Sequence, residues 1–270
     1  MTKNESANIR RCIESLNGLV ERIVVVDSFS TDDTVSIAQS LGADVYTRSF
    51  VHYADQFNWA LDYTNIQTPW VYRIDADEQV TPELKTEILA SCSAHLDDDV
   101  HGFLMKHKLF FLGKYLKHGG VYPFIKMTVF KPKYARFENR AMGEHVVLQC
   151  GRSIELKHDC IHHDCKSLTA FIDKHNAYAT REVQDYYAKN QVQQASLYDK
   201  AERTKHLRDD LYYKLPKFLR ARLYFWYRYY FQLGFLDGYP GKIYAFIQAY
   251  AYRMMVDAKI YEAEVHHRGH

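Results

Sequence analysis

Three observations in the sequence predict an α/β fold with a mostly parallel sheet and helices on both of its faces. Short apolar, β-branched runs alternate with segments of helical period through the first half of the chain. That β-α-β-α-β order needs crossover connections, which favour parallel pairing. Two of the runs, 23–26 and 70–74, lead directly into aspartates, Asp27 and Asp75. Open α/β sheets place their ligands at the carboxyl ends of strands, so both acids stand where a site is expected.

Each element has its own warrant. Ile9, Cys12, Ile13 and Leu16 recur at helical spacing behind the polar segment 4–6, predicting a first helix. The run 23–26 is continuously apolar, as in a strand covered on both faces. Ser30-Thr31-Asp32-Asp33 reads as a helix cap with acids in the first turn, and Gly42 follows the helix it opens. Residues 44–47 read as a strand, and Phe57, Ala60 and Leu61 mark another helix. The run 70–74 is aromatic and β-branched and closes the series. Thr81 and Pro82 then supply an N-cap and a first helical residue. From about residue 103 to 147 shorter, glycine-punctuated strands are expected, among them Met127-Thr128-Val129-Phe130. After Ser167 the pattern is helical to about Glu262. A soft boundary near residue 165 therefore divides an α/β region, 1–165, from a helical C-terminal region, 166–270.

Composition narrows the class. The 270 residues are 47% hydrophobic and 25% charged, which is globular and ample for a buried core. A net charge of +2 is too mild to argue for nucleic acid. The five cysteines are odd in number and lack a framework spacing, favouring a reducing compartment. The start carries no apolar signal region, and no run of about 18 apolar residues is present to span a bilayer. Cys160-Ile161-His162-His163-Asp164-Cys165 has zinc-compatible side chains, but its spacing matches no common finger.

The sharpest chemical signal is Asp75-Ala76-Asp77-Glu78. Two carboxylates this close repel unless a cation or a proton lies between them. A hard divalent ion that also holds substrate phosphates is the natural occupant. The bland alternative is a solvated acidic turn ahead of a helix.

Several segments together resemble family 2 glycosyltransferases of the GT-A fold. They are Thr2-Lys3-Asn4-Glu5, Val26-Asp27-Ser28 with Ser30, Asp32 and Thr34, Gln56 with Asn58-Trp59-Ala60, and Asp75-Ala76-Asp77-Glu78. Downstream, His118-Gly119-Gly120-Val121-Tyr122-Pro123, Gly143-Glu144 and Gly234-Phe235-Leu236-Asp237-Gly238 are similar to the bacterial lipopolysaccharide inner-core β-glucosyltransferases. The resemblance implies a Rossmann-like nucleotide-sugar-binding sheet and a metal-dependent, inverting hexosyl transfer. UDP-glucose is the implied donor and a core heptose or similar lipid-linked saccharide the implied acceptor. The family places an apolar strand directly before the Thr-x-Asn-Glu segment, where this sequence begins. The expectation is accordingly a natural reading frame starting upstream, or low stability of the chain as written.

The resemblance also assigns residues. Asp77 is the implied ligand of Mg²⁺ or Mn²⁺, with His162 near the same ion and Asp75 contacting ribose or supporting the metal shell. Asp27 is implied at the base and ribose, Asn4 and Glu5 line the nucleotide loop, and Arg48 pairs with phosphate. Asp27, Asn4 and Glu5 also suit capping roles. Glu144 is the implied general base, with His145 as its neighbour alternative; a base at that point contributes roughly 10²–10⁴-fold.

Residues 214–230 mix Lys214, Lys217, Arg220, Arg222 and Arg228 with Phe218, Tyr224, Phe225, Trp226 and Tyr227. Such a helix can lie in a headgroup layer or simply pack its aromatics on the protein. With the resemblance it implies a cytoplasmic enzyme peripheral to the inner face of a bacterial inner membrane. The alternatives are a polyprenyl-phosphate or capsule glycosyltransferase, a metal-dependent phosphohydrolase, which also uses Asp-x-Asp at a strand end, and a non-catalytic saccharide-binding relative.

Overall fold

A computed structural model of the chain describes residues 1–138, 145–191 and 212–268. The chain divides into two compact units: Met1–Lys117 with Val121–Lys166, and His118–Gly120 with Ser167–His270.

In the first unit, α1 (Ile9–Ser15) buries Ile9, Cys12 and Ile13, the residues whose spacing predicted it. β1 (Val24–Asp27) and β2 (Asp44–Thr47) pair in parallel, Val24 opposite Asp44, with α2 (Thr34–Ser40) crossing between them. The cap of α2 differs in detail from the expectation. The helix opens at Thr34 behind Asp33, with no acid in its first turn, and Asp32 Oδ1 accepts from the Thr34 amide at 3.1 Å. Thr2 lies beside the end of β1: its N–H donates to Val26 O at 3.0 Å, and Ser28 N–H donates to Thr2 O at 2.9 Å.

α3 (Tyr53–Tyr63) is capped by His52, and α4 (Pro82–Ala94) by Thr81, whose hydroxyl accepts from the Leu84 amide at 3.2 Å. Between these helices, β3 (Val71–Tyr72) is shorter than the run 70–74. It joins a seven-stranded sheet with β4 (Glu78–Gln79), β5 (Val100–Phe111), β6 (Lys114–Tyr115), β7 (Phe124–Phe130), β10 (Arg152–Glu155) and β11 (Cys160–His163). β8 (Ala135–Phe137) and β9 (Val146–Leu148) form a separate antiparallel pair.

The large sheet is mixed rather than mostly parallel. β10 and β11 run parallel to β5, whereas β3, β6 and β7 pair antiparallel. One cause is the two-residue connection from β5 to β6, where Leu112 and Gly113 both take positive φ, 47° and 76°. That is the geometry of a tight hairpin turn, which reverses the chain at once. The glycine-punctuated region also holds one twelve-residue strand, β5, whose Val100, Phe103 and Met105 pack with Leu84 and Ile88 of α4.

The second unit is helical: α5 (Leu168–Gln191), α6 (Leu219–Trp226), α7 (Gly238–Ala245) and α8 (Tyr252–Arg268). Two wider π-type segments, Tyr227–Phe231 and Phe246–Ala251, extend α6 and α7. Ala179 of α5 packs against Tyr252, Val256 and Ile260 of α8. The buried Arg220 donates through Nε to Asp257 Oδ1 at 2.7 Å, so its charge is matched inside the core. Among the described residues no helix is long and apolar enough to cross a membrane.

Candidate active site

The site is built where β3 ends. The Arg73 amide donates to Thr128 O of β7 at 2.7 Å, and the chain then turns through Asp75-Ala76-Asp77 into β4. Glu78 N–H donates to Asp75 O at 2.9 Å, while the Asp75 amide donates to Glu78 Oε2 at 3.1 Å. This reciprocal pair closes the acidic turn.

Lys126 of β7 provides the counter-charge. Its ammonium lies 2.7 Å from Glu78 Oε1 and 3.2 Å from Asp75 Oδ2, and Arg73 Nη2 lies 2.8 Å from Asp75 Oδ1. Glu78 is fully buried. Burial alone pushes its carboxyl up, but Lys126 first, then His162 and His107, outweigh that and hold it well below the usual carboxylate range. Asp75 behaves alike: burial raises it, and Arg73 and Lys126 outweigh burial and the Glu78 charge to lower it. Burial raises nothing at Lys126; it lowers that ammonium, and the charges of Asp75 and Glu78 more than reverse it.

Two histidines face the same turn. His107 Nε2 lies 3.4 Å from Glu78 Oε1, and burial pushes this imidazole down to about 4. His162 lies between acids, Nε2 at 3.5 Å from Asp77 Oδ2 and Nδ1 at 3.6 Å from Glu78 Oε1. Burial lowers His162, and Asp77 and Glu78 outweigh it, so its pKa is raised. The β11–β4 pairing sets His162 opposite Glu78, which explains how residues far apart in sequence meet.

Glu78, His107 and Cys160 have ligand atoms within 4.8 Å of one another, a set that suits a transition metal by donor type. In this group the Lys126 ammonium already sits on Glu78 Oε1 and burial holds the Cys160 thiol protonated, while His107 Nε2 is buried without a hydrogen-bond partner. Asp77 and His162 are a second pair that could hold an ion. They offer a carboxylate oxygen and an imidazole nitrogen 3.5 Å apart, a separation two ligands of one ion can adopt.

The other sequence-derived candidates fall into two neighbouring groups. Asp27 is buried, accepting from Thr2 Oγ1 at 2.9 Å and from the Ser30 amide at 2.8 Å. Asn4, with φ 54°, accepts from the Thr31 amide at 2.8 Å, which ties the loop after Thr2 to the loop after β1. The Glu5 amide donates to Thr34 Oγ1 at 2.7 Å, and its carboxylate pairs with Lys166 and accepts from Asn8 Nδ2, the latter at 2.9 Å. Asp32 binds this loop too: burial raises it, but hydrogen bonds from Thr34 and Ser6 bring it to about 2. Arg48 is turned onto Asp55 in a two-pronged pair at 2.5 and 3.2 Å, so its charge is already matched by a carboxylate. Glu144 lies outside the described residues.

Sequence reasoning thus named Asp75, Asp77 and His162 but missed Lys126, His107 and Arg73 as their partners. The available signal was Lys126 itself, an ionisable residue inside the apolar strand Phe124–Phe130. A charge there must snorkel or pair.

Residues 1–152 match Glycosyl transferase family 2. The chain belongs to this family. It is 31% identical over 195 residues to an uncharacterized glycosyltransferase of Rickettsia felis, covering 68% of each chain. A second, from Rickettsia prowazekii, is 31% identical over 68% of this chain and 65% of its own. The chain thus spans about two thirds of the length of these relatives. It is also 35% identical, over 41% of each chain, to the lipopolysaccharide core biosynthesis glycosyltransferase LpsC of Rhizobium meliloti. Among solved structures, glucosyl-3-phosphoglycerate synthase from Mycobacterium tuberculosis, in complex with Mn²⁺, UDP and its product, overlaps 40% of this chain and 42% of that one (TM-score 0.32, 24% identity). S. aureus TarS overlaps 67% and 63% (TM-score 0.41, 15% identity). The first unit is a mixed α/β fold that carries most of the family match, a helical region follows it in sequence, and the family membership makes the chain a transferase rather than a phosphohydrolase.

Proposed function

We propose that the chain transfers a hexosyl group, glucose in the first instance, from UDP-glucose or a similar nucleotide-sugar to a lipid-linked saccharide of the lipopolysaccharide core, with inversion. The observation that carries the reading is the acidic turn Asp75-Ala76-Asp77-Glu78 at the end of β3, with Asp77 facing His162 at 3.5 Å. The partial likeness to LpsC supports the choice of acceptor.

In this reading Asp77 and His162 hold a divalent ion, Mg²⁺ or Mn²⁺; an imidazole donor suits Mn²⁺ better. When bound, such an ion stabilises the charge that collects on the departing nucleoside diphosphate, by several kcal/mol. Arg73 and Lys126 hold the Asp75 and Glu78 carboxylates in place, so the turn is ordered before a donor arrives. The stitched loops carrying Asn4, Glu5 and Asp27 line the nucleotide side, and Asp75 is set to meet the ribose. Glu144 takes the proton from the acceptor hydroxyl as that oxygen attacks the anomeric carbon from the face opposite the leaving diphosphate.

Sugar transfer measured for Asp77→Asn and Glu144→Gln, each with a melting curve, tests the assignment. Both are expected to lose at least about 10²-fold in turnover with the fold retained. Near wild-type rates in both would reject the catalytic reading.

A further inference from the structure

The second unit carries an exposed apolar surface. Phe231 is 77% and Tyr239 82% exposed, and Trp226, Phe235 and Leu236 are each exposed by 43% or more. Trp226 and Phe235 belong to one run of rings, and Phe231 stacks on Tyr227 beside it in sequence. Trp226 packs on Tyr230 at 4.7 Å between ring centroids, Tyr230 on Tyr229 at 5.1 Å, and Tyr229 on Phe235 at 6.3 Å. Isolated exposed aromatics are ordinary, whereas a contiguous run of them marks a contact surface.

The scaffold beneath is rigid, which separates this patch from a loose loop. Asp237 is buried and accepts from the His118 amide at 2.8 Å, with His118 Nδ1 also 2.8 Å from its carboxylate. Gly119 N–H donates to Gln232 O at 2.8 Å, and Arg228 Nε donates to Gly119 O at 2.6 Å. A Cβ on Gly241 would stand 2.5 Å from Asp237 Cβ and 2.8 Å from Gly234 O, so glycine alone permits this closeness. The two downstream motifs of the sequence, around His118-Gly119-Gly120 and Gly234–Asp237, therefore meet to hold aromatic side chains outward.

Charge identifies the partner. Of the seven lysines and arginines between residues 214 and 253, Lys217, Arg220 and Arg253 pair with Glu264, Asp257 and Glu182, which leaves Lys214, Arg222, Arg228 and Lys242 against the segment's single carboxylate, Asp237, itself buried on His118. Arg222 and Lys242 are exposed beside the aromatics. Tyrosine, tryptophan and phenylalanine flanked by cations match a layer of anionic headgroups over acyl chains. A second copy of the chain would bring its own cations against these.

We infer that the face of the second unit bearing Trp226, Phe231, Phe235, Leu236 and Tyr239 docks into the headgroup layer of an anionic bilayer. This inference goes beyond the transferase reading and rests on the second unit alone; vesicle binding and nucleotide-sugar binding can fail separately. The test uses the full chain with phosphatidylglycerol-containing vesicles, phosphatidylcholine vesicles and brominated lipids that quench an inserted indole. Binding to the anionic vesicles with quenching of Trp226, absent in Trp226→Phe, is expected. The double variant Phe231→Ser/Tyr239→Ser alters only exposed positions and should keep the melting curve while losing about tenfold or more of vesicle binding per aromatic. Vesicle binding without Trp226 quenching, an unchanged double variant, or a lipid-free dimer that the double variant dissolves would overturn the inference.

Discussion

Replacing Lys126 with methionine keeps most of the side-chain volume and removes the charge that joins Asp75 to Glu78. The consequence follows from burial. Glu78 has no exposed surface and the Lys126 side chain is 14% exposed, so solvent screens their 2.7 Å pair little. Removing one partner of such a buried pair leaves an uncompensated charge and costs about 3–5 kcal/mol. In a protein of this size that corresponds to a fall in Tm of roughly 6–20 °C. The sign with pH is fixed by Glu78, whose folded value is depressed. A depressed carboxylate contributes stability above its unfolded pKa and loses it as pH falls through the folded one. The variant's deficit should therefore be largest at neutral and alkaline pH, and should shrink in acid, where the carboxylates protonate in both proteins. Urea denaturation at several pH values measures this, and Lys126→Met/Glu78→Gln should recover part of the loss in a double-mutant cycle. A deficit below about 1 kcal/mol, or one independent of pH, would refute the electrostatic argument.

Two further outcomes follow from local geometry. Gly241→Ala forces a methyl against Asp237 and the Gly234 carbonyl, and should destabilise the second unit by about 1–3 kcal/mol in thermal unfolding. Thr81→Ala removes the hydroxyl that caps α4 and should cost about 0.5–2 kcal/mol, with sugar transfer by the remaining folded protein unchanged.

The parts of this protein legible in the sequence were those set by local chemistry. The α4 start was readable because Thr81 and Pro82 act within one turn, and the α1 face because Ile9, Cys12 and Ile13 repeat at helical spacing. Asp27 and Asp75 were readable as strand-end acids. Strand direction in the large sheet was not, since it depends on which distant strands pair and on a positive-φ leucine at the β5–β6 turn that composition does not announce. For the same reason Lys126 and His107 escaped notice as partners of Glu78: only the register of β7 and β5 brings them to the acidic turn. Arg48 was legible as a cation, but not its pairing with Asp55, seven residues on. The aromatic character of the segment 214–230 was evident, but its most exposed rings, Phe231 and Tyr239, lie just beyond it, where the chain folds back on His118.

The central claim is that Asp77, beside His162, holds a divalent ion through which a nucleotide-sugar is bound. Titration calorimetry of UDP-glucose into the chain, with Mn²⁺ or with a chelator, tests it most directly. Binding that requires the ion and weakens by about tenfold or more in Asp77→Asn is the predicted result. Equal affinity in the presence of chelator, or an Asp77→Asn protein that binds as tightly as the parent, would contradict it.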